Sequence, residues 1–331
     1  MTCAIPDVHE VSLVEQVTGR FGLPQAEVIV LNEPSGNRLY EVRTSGRRFV
    51  LKMTCTSGTY HRSLIPDHVR YEAALVVALR ERAIPTPALH KSLQGLTASI
   101  DGHEAILFEY FDGCVCETLD YPIDQAAAAL ARIHQVQLEA PLDLPVQFTY
   151  EGLCKIWLPY FGRSRQSKDL PPELADACTL FTVSAAHFAN PDIRSALLGR
   201  SPHVHCHGDV KPRNLIQHTD GSVAWFDFDN ALYAPRIVDV IDGGVTFALA
   251  EQHIRYADFN RCDAFLNAYR QHGALTVSES ADLDDWLQLG CLLHFTRELT
   301  TWVYTKDEIR RKRALAIANY VKKLPTPAWD R

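Results

Sequence analysis

The spacing of apolar and polar residues changes several times along the first third of the chain, which predicts helices interspersed with short strands. Apolar residues recur at helical intervals over residues 8–21, which end at Gly22, and again over residues 67–82. Ser45 and Gly46 provide a hairpin turn between two runs that alternate with a period of two. The predicted strands are residues 27–31, 38–44, 47–54, 96–100 and 105–110.

Helical patterns dominate the rest of the chain. Residues 124–137 form an Ala-rich amphipathic stretch, residues 172–189 predict a second helix, and helical spacing returns from Pro235 almost to the end. We therefore predict a bilobal α+β fold, with a β-rich N-terminal lobe over residues 1–110 and a mostly helical C-terminal lobe over residues 111–331. The strand-like pieces that interrupt the helical part are residues 203–206, 214–217 and 223–226.

The composition narrows the class of protein. The chain has 331 residues, 47% of them hydrophobic, which is enough for a sizeable core. The net charge of -7 disfavours a nucleic-acid partner, which would favour a basic face. No apolar run reaches the roughly 18 residues of a membrane helix, and the first residues lack a signal-peptide pattern. Nine scattered cysteines indicate reduced thiols. We expect a cytoplasmic monomer or homodimer with no membrane or nucleic-acid partner.

Residues 207–214 and 225–229, which read HGDVKPRN and WFDFD, carry the strongest chemical signal. Phosphoryl transfer needs a carboxylate that orients the attacking hydroxyl group and accepts its proton, and oxygen ligands that hold magnesium against the phosphates. Asp209 suits the first role, and Asn214 and Asp227 suit the second because magnesium prefers hard oxygen donors. A hairpin-like segment between Asn214 and Asp227 can bring the three side chains to one edge of a small sheet.

The sequence here resembles the aminoglycoside phosphotransferase and choline kinase superfamily, which has an H-G-D-x-x-x-x-N loop and a later D-x-D. The resemblance implies a protein-kinase-like fold and an ATP- and magnesium-dependent kinase, a phosphotransferase with an alcohol group as acceptor. It makes Asp209 the catalytic base and makes Asn214 and Asp227 the magnesium ligands. Lys211 would contact the transferring phosphate, with a solvated side chain as the alternative, and Asp239 would support the loop.

Two further matches to this superfamily concern the nucleotide. Lys52 lies in a strand-like run and Glu72 opens a helix, and the superfamily pairs such residues so that the lysine is held on the phosphates of ATP. A surface salt bridge of little energetic weight is the alternative. Residues 108–113, which read FEYFDG, resemble the hinge whose backbone hydrogen-bonds adenine, with Glu109 and Phe111 in the expected positions.

The loop that covers the phosphates is predicted between the first two strands, at residues 33–37. It has one glycine in place of the G-x-G-x-x-G of protein kinases, which favours the small-molecule branch of the fold. Nucleotide contacts are expected from Ser35, Gly36 and Asn37.

The match to the superfamily fades in the C-terminal helices, which by the resemblance build the pocket for the acceptor. Relatives phosphorylate antibiotics, amino alcohols such as choline and homoserine, and N-acetylhexosamines. We expect an antibiotic, with antibiotic resistance as the role, or an amino-alcohol metabolite first, a sugar second and a protein third. The candidate lining residues, which are acids, a base, an amide and aromatics, are Asp229, Asn230, Arg236, Asp242, Arg297, Glu298, Trp302 and Tyr304.

Two other functions are alternatives to a kinase. His205, His207 and Asp209 match part of the H-x-H-x-D-H motif of zinc-dependent metallo-β-lactamase-like hydrolases, but Val210 stands where that motif has its last histidine. A pseudokinase, which binds without turnover, is the other alternative. Retention of Lys52 and of the three loop residues argues against it.

Overall fold

The computed structural model describes residues 8–31, 37–53, 66–116, 122–138, 150–249 and 257–325. The chain forms two compact units, which we call unit 1 and unit 2. Unit 1 consists of Met1–Gly113, Gln137–Leu144 and Phe226–Asn230. Unit 2 consists of Cys114–Val136, Pro145–Trp225 and Ala231–Arg331.

Unit 1 is built on an antiparallel sheet with helices beside it. Its elements are α1 (Val8–Phe21), β1 (Glu27–Val30), β2 (Arg38–Thr44), β3 (Arg47–Met53), α2 (Pro66–Glu81), β4 (Leu89–His90), β5 (Ala98–Ile100) and β6 (His103–Glu109). The strand order is β1-β2-β3-β6-β4, and β5 also pairs with β6. The register places Lys52 of β3 opposite Leu39 of β2 and Ile106 of β6, so Lys52 lies on a central strand.

Apolar side chains on the two faces of this sheet make separate clusters, as the period-two pattern requires. Val17 and Phe21 of α1 pack with Phe49 and Leu51 of β3 on one face. Residues of α2 pack on Ile106 at the other face, which fixes the helix that carries Glu72 beside the strand that carries Lys52.

Unit 2 is mostly helical. Its first elements are β7 (Cys114–Val115), α3 (Ile123–Ile133), α4 (Tyr150–Ser164), α5 (Pro172–Ala189), α6 (Pro191–Leu198) and β8 (His203–Cys206). A 3₁₀ turn (Pro212–Asn214), β9 (Leu215–Gln217), β10 (Val223–Trp225) and β11 (Leu232–Pro235) follow. The last elements are α7 (Ile237–Leu249), α8 (Asn260–His272), α9 (Val277–Ala281), α10 (Leu283–Thr305) and α11 (Glu308–Val321). Strands β10, β9 and β7 form one small sheet and β11 and β8 another.

Helix α7 is the centre of unit 2. Its sequence, IVDVIDGGVTFAL, is apolar on all sides, and every residue except Asp242 is buried. A helix with this pattern belongs in a core rather than on a surface. It packs against α8 and α10, and two acidic residues, Asp239 and Asp242, lie within it.

The prediction of an α+β fold is confirmed, and the elements with clear periodicity agree with the structure to within a few residues. The sequence analysis missed α4, α6 and the short strands β4, β7 and β11. These strands exist because of partners distant in sequence: β11 pairs with β8, and β7 pairs with β9. A strand of two to four residues has too few alternating positions to give a period of its own.

Two general findings concern the described part of the chain. None of its helices is both long enough and apolar enough to cross a membrane. Its seven cysteines are all free, and all except Cys114 are buried.

Candidate active site

Lys52 and Glu72 form a buried ion pair in unit 1. Lys52 Nζ lies 2.8 Å from Glu72 Oε1 and 3.0 Å from Glu72 Oε2. Both side chains are almost fully buried, so this is not the solvated surface pair that was the alternative. The sequence analysis predicted this partner, and the structure brings the two residues together.

The electrostatics of the pair follow from its burial. Burial opposes the charge of Lys52, but the carboxylates of Glu72, Asp229 and Asp227 outweigh it and raise the pKa of the lysine above its usual range. Burial raises the pKa of Glu72, and the Lys52 ammonium acts in the opposite direction. We assign an ionic pair because Nζ lies within hydrogen-bond distance of both carboxylate oxygens.

Asp227 lies directly after β10, in a short segment that belongs to unit 1. Its backbone has a φ of +65°, a left-handed conformation that a non-glycine residue adopts at an energetic cost and that is frequent at functional sites. Asp227 Oδ1 lies 3.4 Å from Lys52 Nζ. Two residues later, Asp229 accepts hydrogen bonds from Asn37 at 3.1 Å and from Asn230 at 2.8 Å. Unit 1 therefore gathers one cation and three carboxylates, those of Glu72, Asp227 and Asp229.

Residues 207–214, which we call the HGD loop, carry the candidate base in unit 2. Lys211 Nζ lies 2.5 Å from Asp209 Oδ2, and Asn214 Nδ2 donates to the same oxygen at 3.1 Å and to the Asp209 carbonyl at 2.9 Å. The 3₁₀ turn that begins at Pro212 brings Asn214 back towards Asp209. Two donors therefore orient the Asp209 carboxylate, which is one-fifth exposed.

The start of the HGD loop is fixed to helix α7. The amide groups of His207 and Gly208 donate to Asp239 at 2.6 and 2.9 Å. The His207 ring is buried against Trp225, and its Nδ1 accepts the amide N–H of Asp209 at 3.3 Å. These contacts agree with the supporting role predicted for Asp239.

Three further residues predicted to contact the nucleotide, Glu109, Phe111 and Asn37, are described in unit 1. Glu109 ends β6, and its amide donates to the Ala88 carbonyl at 2.7 Å while its side chain pairs with Arg47. Phe111 lies just beyond that strand. Asn37 reaches Asp229, whereas Ser35 and Gly36 lie outside the described residues.

The residues predicted to line the acceptor pocket have separate hydrogen-bond and ion-pair partners. Arg236 is ion-paired with Glu279 at 2.6 Å, and the fully buried Glu298 pairs with Arg310 at 3.0 Å and with Arg297 at 3.5 Å. Asp242 accepts hydrogen bonds from the HGD loop and from His294. Asp229 and Asn230 are hydrogen-bonded to each other in unit 1. In unit 2, Trp302 is buried under the Lys306 ammonium, and the side chain of Tyr304 is exposed.

The histidines of β8 do not gather as a zinc site would require. In the described part of the chain, the group of possible metal ligands close enough to share an ion is His134, Cys206 and Asp239, which includes neither His203 nor His205. The side chains of His134 and Asp239 are joined by a hydrogen bond of 3.1 Å. His203 and His205 are alternate residues of β8, the strand that leads into the HGD loop.

Helix α7 approaches the HGD loop closely at Gly243. A Cβ atom there would lie 2.5 Å from Phe265 and 2.9 Å from Val210 Cγ1. We expect Gly243→Ala to lower the free energy of unfolding by about 1–3 kcal/mol, because extra atoms in a packed core force neighbours to move. Gly162→Ala is the matched control, since nothing lies within 4 Å of that helical position. Thermal unfolding of the two variants measures the difference, and equal midpoints would contradict the expectation.

The model of the phosphotransferase enzyme family matches residues 27–288. The chain belongs to this family. It is a small-molecule phosphotransferase that acts on hydroxyl groups, and both candidate clusters fall inside the matched residues. No curated protein sequence matches the chain.

Solved structures of kinases share its fold. Amicoumacin kinase hAmiN, in complex with AMP-PNP, Ca²⁺ and Ami, superposes with a TM-score of 0.66 at 18% identity over 97% of this chain and 96% of that one. A microcompartment-associated aminopropanol kinase gives 0.58 at 15% identity over 93% and 94%. Choline kinase LicA from Streptococcus pneumoniae gives 0.55 at 11% identity over 96% and 98%. At these identities the likeness shows a protein-kinase-like fold.

Proposed function

We propose that this phosphotransferase transfers the γ-phosphoryl group of ATP, with magnesium, to a hydroxyl group of an antibiotic or an amino-alcohol metabolite. The acceptor oxygen forms a bond to the γ-phosphorus, and the bond from that phosphorus to the bridging oxygen breaks. The hydroxyl proton passes to Asp209, and the products are ADP and a phosphate monoester of the acceptor.

The observation that carries the proposal is the arrangement around Asp209. Its carboxylate is oriented by Lys211 and Asn214 and remains partly exposed, as a group that meets an acceptor hydroxyl must be. A fixed, solvent-accessible carboxylate can accept a proton without first reorganising, which favours the transfer step. Lys211 also places a positive charge beside the position where the transferring phosphate is proposed to lie.

Lys52 is proposed to hold the phosphates of ATP, with Glu72 behind it. The lysine keeps its proton because three carboxylates raise its pKa, so it offers a permanent positive charge to an anionic ligand. Its ion pair with Glu72 fixes the direction in which Nζ points. The adenine contacts proposed for the backbone of Glu109 and Phe111 and the phosphate contacts proposed for Ser35, Gly36 and Asn37 rest on their place in the chain.

Asn214 and Asp227 are proposed as the magnesium ligands, and their chemistry fits that ion. Asp227 offers a partly exposed carboxylate, and Asn214, whose nitrogen is bonded to Asp209, offers its side-chain oxygen. Bound magnesium would neutralise charge on the phosphates.

The acceptor class rests on the similar structures, which include kinases of an antibiotic, of aminopropanol and of choline. Release of ADP from magnesium-ATP should therefore be measured with a panel of spectinomycin, kanamycin, choline, ethanolamine, aminopropanol, homoserine and N-acetylglucosamine. We expect turnover with an antibiotic or an amino alcohol. Turnover with the sugar alone would replace the proposed acceptor class. A wild-type protein that neither binds ATP nor releases ADP would overturn the proposal.

Removal of divalent metal gives a second expected result. Chelation with EDTA should reduce ADP release to background, and added magnesium should restore it, because the phosphates need a divalent ion as counter-charge. Zinc at equal concentration should not replace magnesium, since the proposed ligands are oxygen atoms. Full activity after exhaustive chelation would contradict the assignment of Asn214 and Asp227.

A further inference from the structure

The backbone of the HGD loop is held by two carboxylates of a single helix. Asp239 and Asp242 lie three residues apart in α7, so they project from the same side of that helix. Asp239 accepts the amide N–H groups of His207 and Gly208, and Asp242 accepts that of Val210 at 3.1 Å. These amides flank Asp209 on both sides, so the two carboxylates fix the backbone from which the candidate base projects.

Each carboxylate is in turn held by a histidine from another helix. His134, at the end of α3, places Nε2 3.1 Å from Asp239 Oδ2. His294 of α10 places Nε2 2.7 Å from Asp242 Oδ1. Both histidine side chains are more than nine-tenths buried. Two separate helices therefore brace α7 at the points where it meets the loop.

The hydrogen bond to Asp239 defines which ring nitrogen of His134 carries a proton. An ionised carboxylate only accepts, so Nε2 of His134 must carry a proton. Its Nδ1 lies 2.7 Å from the hydroxyl group of Tyr269 in α8, and in the neutral ring this nitrogen accepts from that hydroxyl group. Burial raises the pKa of Tyr269, so that hydroxyl group keeps its proton. Tyr269, His134 and Asp239 thus form a chain in which each donor has an acceptor.

We propose that His134, with Tyr269 behind it, and His294 are positioning residues for phosphoryl transfer, which act through Asp239 and Asp242 to fix the backbone on both sides of Asp209. The inference rests on the proposed role of Asp209 as base. A displacement of about 1 Å at a catalytic group is enough to cost as much as a hundredfold in rate. Binding of ATP does not depend on this arrangement, so the turnover number should change while the KM for ATP does not.

The first test removes one hydroxyl group. Tyr269→Phe should lower kcat for ADP release about tenfold, with the KM for magnesium-ATP within about twofold of wild type, since only positioning is lost. Tyr320→Phe is the matched control, because its hydroxyl group also donates within unit 2, to Asp263 at 3.0 Å, but to no residue of the HGD loop. Equal kcat values for the two variants would overturn the inference.

The second test asks whether the effect passes through Asp209. In an Asp209→Asn background, Tyr269→Phe should lower the residual rate by less than about twofold, because residues that act as one unit are not additive. A further tenfold loss in that background would show that Tyr269 acts by some other route. Failure of wild type to release ADP, with water or any panel member as acceptor, would instead overturn the proposed function.

The third test concerns the second histidine. His294→Leu removes the donor to Asp242 and should lower kcat about tenfold, whereas His294→Gln can still donate from its amide and should recover most of it. Thr300→Val is the control on the same helix, since it removes the buried hydrogen bond to Ser164 and leaves the loop untouched. A loss in His294→Gln equal to that in His294→Leu, or a matching loss in Thr300→Val, would contradict the role of His294.

Discussion

Asp209→Asn is expected to lower kcat for ADP release at least about a hundredfold, and up to about ten-thousandfold, the range for loss of a general base. The amide has the size of the carboxylate but cannot accept the proton of the attacking hydroxyl group. Lys211 and Asn214 donate to Asp209 Oδ2. In the variant they can donate to the oxygen of the asparagine amide, so the loop should stay folded. ATP binding, followed by thermal shift, should persist because the change affects the transfer step.

The matched control for this variant is Asp220→Asn. Asp220 is exposed in the turn between β9 and β10, where it accepts hydrogen bonds from Ser222. It lies only eleven residues after Asp209 and undergoes the same chemical change, so it reports any general effect of losing one carboxylate. We expect its kcat to equal that of wild type. An Asp209→Asn variant as active as Asp220→Asn would show that Asp209 is not the base.

Lys52→Met is expected to lower kcat/KM for ATP at least about a hundredfold, because it removes the fixed charge proposed to hold the phosphates. Methionine keeps much of the length of lysine and suits the buried position. Lys91→Met is the control, since Lys91 is exposed in the same unit. Equal kcat/KM values for the two variants would contradict the proposed role of Lys52.

The same substitution has a consequence for stability that depends on pH. Without Lys52 the carboxylate of Glu72 is buried with no cation, and its pKa, already raised by burial, should rise further. A carboxyl group with a folded-state pKa above its unfolded value destabilises the fold as pH rises between those two values. Lys52→Met should therefore be less stable at about pH 8 than at about pH 5, relative to wild type. Lys52→Met/Glu72→Gln should lose that dependence, and its persistence would place the titrating group elsewhere.

Much of the fold was predictable because its long elements have clear periodicity. Helix α5 and strand β3 have the bounds that the pattern predicted to within one residue. Helix α5 buries one face at helical spacing, and β3 follows the Ser45–Gly46 turn. Strand β11 was not predictable, because four residues that end in a proline carry little pattern and its pairing with β8 depends on tertiary structure. The division of the chain into units also interleaves distant segments, such as Phe226–Asn230, which no local pattern reveals.

The candidate site was predictable where a motif carried it. Asn214 contacts Asp209 as the spacing of the HGD loop suggested, and Lys52 contacts Glu72. The hydrogen bond from Lys211 to Asp209 was not predicted. The roles of the predicted acceptor residues were harder to predict. Nothing in the sequence shows that Arg236 is paired with Glu279 or that Glu298 is paired with Arg310.

The histidines that brace α7 were missed altogether. His134 lies within the amphipathic helix predicted over residues 124–137, and one histidine in that pattern gave no sign of its partners. A signal was available in α7, where two aspartates interrupt a segment that is otherwise apolar. Because a buried carboxylate must be paired or hydrogen-bonded, such residues predict polar partners from other helices, although not which ones.

The most direct test of the account follows the phosphorus atoms themselves. Phosphorus NMR of wild-type protein with magnesium-ATP and the fastest acceptor of the panel should show the γ-phosphate signal replaced by that of a phosphate monoester on the acceptor, in step with ADP. The Asp209→Asn variant should show neither product over the same time. Formation of inorganic phosphate alone, or of AMP, or an active Asp209→Asn variant, would contradict the claim that this chain is a kinase that uses Asp209.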